Sequence, residues 1–384
     1  MPALDTFAAE KLARLDHKHL RRRLVETARE DGIWVTRGGR RLLSFSCNDY
    51  LNLSQHPAVK EAAIAAIRTH GAGAGASRLI TGNHPLFAEL ESRLAALKGT
   101  AAACVFGSGY LANIGIIPTF AGRTDLILVD ELAHSCIWAG AEMSGASVAT
   151  FRHNDVEDAR AILKTRRAAH RNAVIATDGV FSMDGDLAPL SALAKLAEEH
   201  DAWLLADDAH GIGVVGGGRG STFAHGERAN VPLQMGTLSK ALGSYGGYLT
   251  ASQPVIDLVK TKAASFIYST GLPPASVGAA IAAIDFIGAN PDYIVRPLTH
   301  ARAFTRTLEL PEAQSPIVPI VIGPAEETLK ASQELEDEGF LVVAVRPPTI
   351  PRDTARLRIA FTANHTSDDV QRLAEALKPY VRRA

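Results

Sequence analysis

Cysteine is scarce: Cys47, Cys104 and Cys136 are the only three in 384 residues, widely spaced and without a metal-type C-x-x-C. A disulfide framework is therefore excluded, no metal site is expected, and a reducing compartment is implied for three thiols that read as buried. Net charge is lacking too. Lys plus Arg number 40 against 41 for Asp plus Glu, a formal charge of −1, so no overall field draws nucleic acid or an acidic membrane surface. Any anionic ligand must meet local cations. No apolar run reaches membrane-spanning length, and Asp5, Glu10, Lys11, Arg14 and Asp16 interrupt the place where a signal peptide would carry its apolar core. The expectation is a cytoplasmic protein with neither membrane nor nucleic acid as partner. Repeats and low-complexity linkers are also missing, apart from the biased stretch 71–76. Hydrophobic content is 47% and aromatic content 6%, enough at this length for a large core and a second, smaller one.

Residues 1–45 read as a charged amphipathic arm, including Leu20-Arg-Arg-Arg-Leu24, with a short strand near 41–45. Over 46–285, apolar runs at 101–106, 126–129, 173–177, 202–206, 233–237 and 245–250 alternate with helical patterns. That alternation predicts a large α/β domain on a mostly parallel sheet. Leu86, Leu90, Leu94 and Leu97 share one helix side ahead of Gly99, and Leu190, Leu193, Ala194 and Ala197 follow the spacing of a helix with one buried face. From 286 to 384 the texture changes to strands at 317–322, 340–345 and 355–361 with helices at 326–338 and 370–377, a small α+β domain. Ser367 is the expected N-cap of the last helix, with Asp368 and Asp369 in its first turn.

Chemistry concentrates in two motifs. Asp207, in Leu205-Ala-Asp-Asp-Ala-His-Gly211, ends a strand, and ligands of open parallel sheets bind outside the carboxyl ends of strands. Lys240 follows in Met235-Gly-Thr-Leu-Ser-Lys240, among small residues. A carboxylate that keeps a pyridine nitrogen protonated and a lysine that carries the ring are what a pyridoxal phosphate enzyme needs. Taken singly, Asp207 or Asp208 also reads as a cap of the following turn, and Lys240 as a solvated surface residue. Thr237 and Ser239 offer hydroxyls to a phosphate, and Gly243, Gly246 and Gly247 let backbone approach closely. The Gly-Ser-Gly turn in Val105-Phe-Gly-Ser-Gly-Tyr-Leu-Ala-Asn113 stands between a strand and a helix, where free amides bind anions. The glycines at 71–75 follow no strand and lack the spacing of a dinucleotide fingerprint, so a nicotinamide cofactor is discounted. His134 also follows a strand end, as a ring partner or a helix-start residue.

Several motifs in order, Ser46-Cys-Asn-Asp-Tyr-Leu51, Ala74-Gly-Ala-Ser-Arg78, Asp178-Gly-Val-Phe-Ser-Met-Asp-Gly-Asp186, Asp207-Asp-Ala-His-Gly211, Thr237-Leu-Ser-Lys240 and Ile267-Tyr-Ser-Thr270, resemble fold-type I pyridoxal phosphate enzymes. The likeness is to the α-oxoamine synthase family and runs over nearly the whole chain. Phe151-Arg-His-Asn-Asp155, Ala344-Val-Arg-Pro-Pro-Thr-Ile-Pro351 and Leu20-Arg-Arg-Arg23 are similar to the branch that condenses L-alanine with a pimeloyl thioester, on coenzyme A (pimeloyl-CoA) or an acyl carrier protein (pimeloyl-ACP). Its product is 8-amino-7-oxononanoate, a biotin precursor, released with carbon dioxide and free thiol. Sister enzymes, glycine C-acetyltransferase and 5-aminolevulinate synthase, use glycine and other acyl groups.

The resemblance implies roles residue by residue. Lys240 resembles the lysine that carries pyridoxal 5'-phosphate, Asp207 the partner of its ring nitrogen and His134 the histidine stacked on the ring. Ser182 and His210 match groups that bind the phenolic oxygen, and Gly109, Tyr110 and Thr237 match phosphate contacts. Arg21, Asn48 and Thr349 fall where the family handles the acyl substrate, and Arg358 where it holds the amino-acid carboxylate; Arg22 and Arg23 are alternatives to Arg21. Ser269 and Thr270 resemble residues that reach a partner subunit's phosphate, so a homodimer is implied. Three positions depart from the family pattern: Asn52 and Asp353 stand where glycine is common, and Cys47 where serine is frequent.

Overall fold

A computed structural model describes residues 3–18, 20–30 and 32–381; the few remaining positions, among them parts of the expected arm, lie outside the described residues. Its centre is a seven-stranded sheet in the spatial order Ala102–Phe106, Gly247–Ala251, Leu233–Thr237, Trp203–Asp207, Ala173–Asp178, Leu126–Asp130, Ser147–Phe151. Gly247–Ala251 runs antiparallel to both of its neighbours, and the other pairings are parallel. Helices cover both faces. Ile127, Val129, Val174 and Leu205 pack toward one helical layer, while Leu126, Leu128, Ile175 and Leu204 pack toward the other. Burial on both faces is why these strands read as continuous apolar runs and not as alternating ones.

The strand Ser147–Phe151 was not anticipated: its Ser, Ala and Thr carry no apolar run, and only Ala149 and Phe151 are buried. The leucines expected on one side of a helix lie in Leu86–Lys98, with Leu90 and Leu94 fully buried, and Leu190–Glu199 buries Leu193, Leu196 and Ala197.

Two smaller sheets flank the large one. Ile317–Gly323, Ala355–Ala360 and Val343–Val345 form an antiparallel sheet. Within the expected arm, Ala3–His17 is a helix that buries none of its residues, while Thr27–Arg29, Trp34–Arg37 and Arg40–Ser44 form a meander that pairs in parallel with Phe340–Leu341. The stretch expected as one strand over 340–345 is thus two strands in different sheets, parted at Val342, which is itself buried in the core between them.

Thr366, not Ser367, caps the last helix: its hydroxyl accepts from the Asp369 amide while Asp369 accepts from the Thr366 amide, a reciprocal capping box. Cys104 and Cys136 are buried as expected, but Cys47 is only partly buried. Asn52 and Asp353 both have left-handed backbone, with φ of 53° and 59°. Glycine meets no Cβ penalty there, and Asn and Asp tolerate the region better than other residues. At both departures from the family pattern the backbone is thus one that glycine adopts freely.

Candidate active site

Parallel strands all deliver their last residues to one edge of the sheet. Asp178, Asp207 and Thr237 are the final residues of three adjacent strands, and His134 lies four residues past the end of a fourth. Together with Lys240, His210, Gly109 and Tyr110 they line one cavity of about 240 Å³.

Asp207 is buried and firmly held. Its Oδ2 accepts from Asn113 Nδ2 at 2.7 Å and its Oδ1 from the Ala209 amide at 3.0 Å. Its neighbour Asp208 points away into the core, where it meets Lys98 Nζ at 2.6 Å and the Ser221 amide at 2.9 Å. Glycine is required beside it, since a Cβ at Gly220 would lie 1.7 Å from Asp208 Oδ2. The two adjacent acids thus separate into a cavity-lining one and a structural one.

Asp178 is the register partner of Asp207 on the next strand. Burial, and then the charge of Asp207, raise its pKa well above the usual carboxylate range. Asp178 Oδ1 accepts from the His134 amide at 3.1 Å. His134 is the N-cap of Ser135–Ser144, and its Nδ1 accepts from the Cys136 amide at 3.3 Å. An accepting Nδ1 puts the ring proton on Nε2. Burial lowers the pKa of this imidazole, so the neutral form, with one N–H to donate, is favoured.

A connected chain of polar groups leaves Lys240. Its Nζ lies 2.8 Å from His210 Nε2, and His210 Nδ1 lies 2.6 Å from the Tyr50 hydroxyl. Arg358 donates to that hydroxyl at 3.4 Å, to Asn48 Oδ1 at 3.1 Å and to the Ser182 carbonyl at 2.5 Å. The Tyr50 hydroxyl lies 2.6 Å from His210 Nδ1 and 3.4 Å from Asn48 Oδ1, so its proton goes to His210 Nδ1, which leaves His210 Nε2–H facing the Lys240 amine. Such a contact favours a neutral amine. Burial, and then the nearby Lys240 and Arg358, lower the pKa of His210 well below its ordinary value. Burial likewise lowers the pKa of Lys240, although Asp207 opposes it.

At the other end of the cavity the helix Gly109–Phe120 begins. Ser108 caps it, accepting from the Leu111 amide at 3.2 Å, and its first two residues, Gly109 and Tyr110, line the cavity. Thr237 Oγ1 donates to the Gly246 carbonyl at 2.7 Å and accepts from the Ser239 amide at 3.2 Å. An acid, an amine and a helix N-terminus around one small cavity fit pyridoxal phosphate: the acid suits a protonated ring nitrogen, the amine its aldehyde, the free amides its phosphate.

Of the residues singled out from sequence, Lys240, Asp207, His134, His210, Gly109, Tyr110 and Thr237 come together here. Ser182, Asn48 and Arg358 join them through the polar chain from Lys240. Four others stand apart within one chain. Ser269 and Thr270 line a separate narrow recess beside Arg78. Arg21 Nη1 pairs with Asp16 Oδ2 at 2.6 Å, and Thr349 accepts from Arg22 at 3.1 Å. Sequence reasoning assigned no part to Asp178, Tyr50, Asn113 or Cys136. For Asp178 a signal existed, because it is an acid at the end of an apolar strand just as Asp207 is.

Comparison with known proteins agrees with this geometry. Residues 40–377 match the family described as aminotransferase class I and II. An 8-amino-7-oxononanoate synthase of Beijerinckia indica subsp. indica is 60% identical over 379 residues, 99% of this chain and 98% of the relative. Another, of Methylocella silvestris, is 64% identical over 348 residues, 91% and 99% of the two chains. Among solved structures, a serine palmitoyltransferase of S. paucimobilis with bound PLP superposes with a TM-score of 0.90 at 28% identity, covering 99% of this chain and 98% of the other. The 8-amino-7-oxononanoate synthase of Francisella tularensis gives 0.76 at 25% identity over 88% and 97%. Sequence likeness over almost its full length and a fold-type I architecture together place the chain in the 8-amino-7-oxononanoate synthase family, within the aminotransferases of class I and II.

Proposed function

We propose that the chain condenses L-alanine with a pimeloyl thioester to give 8-amino-7-oxononanoate, carbon dioxide and free thiol, the reaction of its family in biotin biosynthesis, with pyridoxal phosphate as cofactor. One observation carries the reading: a buried acid, Asp207, and a half-buried amine, Lys240, line the same small cavity. When bound, the cofactor supplies an aldehyde that captures amines and a ring that accepts the electron pair left by a departing proton or carboxylate.

Lys240 Nζ would hold the cofactor, and as a free amine it would be the base that takes the alanine Cα proton, a duty its lowered pKa suits. Asp207 would pair with the cofactor's ring nitrogen and keep it protonated, with Asn113 and the Ala209 amide fixing the carboxylate. Arg358 binds the alanine carboxylate in a charge-assisted contact. Its own position is fixed by the Ser182 carbonyl and Asn48. His134 presents Nε2–H to the thioester oxygen as charge develops there. Ser182 and His210 serve the phenolic oxygen. Gly109, Tyr110 and Thr237 receive the phosphate, and Arg21 and Thr349 serve the acyl chain.

The working form is a homodimer in this reading. Tyr268 is 84% exposed and Ile80 75% exposed, and their two segments are bridged through Ser77 and Thr270. Large apolar side chains so exposed beside Ser269 and Thr270 mark a surface suited to a partner. The cytoplasm suits three cysteines that form no disulfide. Among the described residues no helix is long and apolar enough to cross a membrane.

The deciding experiment supplies L-alanine or glycine with pimeloyl-CoA and with pimeloyl-ACP and identifies products by mass spectrometry. Alanine with at least one pimeloyl thioester should give the oxononanoate, and borohydride should abolish the visible cofactor absorbance. A clear preference for glycine, or no product from any combination, overturns the reading.

A further inference from the structure

The motif Phe151-Arg-His-Asn-Asp155 has no part in the chemistry above, yet both ring nitrogens of its histidine are engaged by carboxylates. His153 Nδ1 lies 3.1 Å from Asp130 Oδ1, and its Nε2 lies 2.8 Å from Asp186 Oδ2. Asp130 is fully buried at the end of the strand that leads to His134, and it also accepts from the Leu132 amide at 2.9 Å and the Asn154 amide at 2.9 Å. Asp186 closes the loop that carries Ser182: its carbonyl accepts from the Phe181 amide at 3.0 Å, and its carboxylate accepts from Asn154 Nδ2 at 2.8 Å. The His153 ring meets the Phe181 ring edge-on, with centroids 4.3 Å apart. Asn154 adopts a left-handed φ of 57°, which turns its side chain back to the same loop.

We propose that His153 is a positioning residue for the reaction: donating from both ring nitrogens, it straps the Ser182 loop to the strand end that delivers His134. A neutral imidazole has one donor, so satisfying two carboxylates needs the imidazolium. Burial by itself lowers the pKa of His153, but hydrogen bonds to Asp130 and Asp186 push it up to about 10. The other charged groups nearby are Glu131, which accepts from the His153 amide, and Arg152, which is engaged with Asp155 and Asp158. The strap matters to alanine because Arg358 takes its orientation from the Ser182 carbonyl. On the opposite side the same loop is held by the Asp184–Arg356 pair. Losing His153 leaves Asn154 as the remaining tie between the loop and Asp130.

The inference rests on the alanine-dependent activity proposed above, and its test separates the two. In holoenzyme shown to turn over alanine, His153→Gln should raise the KM for alanine about tenfold while the KM for the thioester and cofactor retention stay within twofold. Asp186→Asn should shift the alanine KM in the same direction, and the double variant should be no worse than His153→Gln alone. Should His153→Gln fail to fold, Asp186→Asn alone decides. Independently, nitrogen NMR of the labelled ring at pH 8 should show both nitrogens protonated. An alanine KM within twofold of the parent, a matching rise in both KM values, or a singly protonated ring at pH 8 would each overturn the proposal. A parent enzyme inactive with alanine but doubly protonated at His153 would count against the activity and leave the strap standing.

Discussion

Replacing Lys98 by methionine should damage this protein more than any surface change, although Lys98 lies outside the cavity. Lys98 Nζ sits 2.6 Å from Asp208 Oδ2, and the two side chains are 0% and 1% exposed. The ammonium also donates to the Arg219 carbonyl at 2.6 Å. With the cation gone, Asp208 would remain in a place closed to water, keeping only the Ser221 amide for its other oxygen. Removing one partner of a buried pair typically costs about 3–5 kcal/mol, because the remaining charge is uncompensated. Against a usual total stability of about 5–15 kcal/mol that is a large fraction.

Since Asp208 directly follows Asp207, cofactor affinity should fall with stability. The assay is urea unfolding of the cofactor-free protein, completed as a double-mutant cycle with Asp208→Asn. In the double variant no lone charge is buried, and the amide oxygen at position 208 still accepts from Ser221, so most of the loss should be recovered. A single-variant loss below about 1 kcal/mol, as expected of an exposed pair, or strictly additive losses, would refute the reasoning.

Other outcomes are expected. Asp207→Asn should lower turnover by more than a thousandfold, about 4 kcal/mol of barrier, whereas Asp178→Asn should cost less than tenfold, because the amide oxygen of asparagine can still accept from the His134 amide as Asp178 Oδ1 does; equal losses in steady-state assays would contradict this. Acid should destabilise the fold through His365, which is stacked on Phe45 and whose pKa burial lowers to about 4. Below about pH 6.5 the unfolded chain takes up a proton that the folded chain refuses, so stability declines as pH falls toward 4 and levels beneath it; in His365→Gln that segment of the pH–stability curve should flatten. Arg21→Ala should raise the KM for pimeloyl thioesters more than for neutral acyl thioesters, and equal effects would rule out a contact with the far carboxylate.

Much of the central sheet was legible because strands buried on both faces must be apolar along their length. Leu126–Asp130, Ala173–Asp178 and Trp203–Asp207 announce themselves in this way. Ser147–Phe151, Thr27–Arg29 and Trp34–Arg37 did not, because half-exposed strands have no such requirement: Thr27–Arg29 buries nothing fully and Trp34–Arg37 buries only Val35. Cap identity was misread by one residue, since Thr366 and Ser367 are chemically equivalent caps and only the reciprocal bond to Asp369 selects between them. Within the candidate site, Asp207 and Lys240 were visible as residue types in telling positions. The links among Tyr50, His210 and Arg358 span some 300 residues of chain, and spacing in one sequence carries no information on contacts that long-range pairing creates.

The switch of sheets at Val342 bears on how the chain can be shortened. Phe340–Leu341 has its strand partner in Arg40–Ser44, so a protein trimmed to begin near residue 46 would retain the cavity but expose backbone donors and acceptors along an unprotected apolar seam. Such trimmed protein should clump during expression, whereas removal of the helix Ala3–His17, which buries nothing, should be tolerated by the fold.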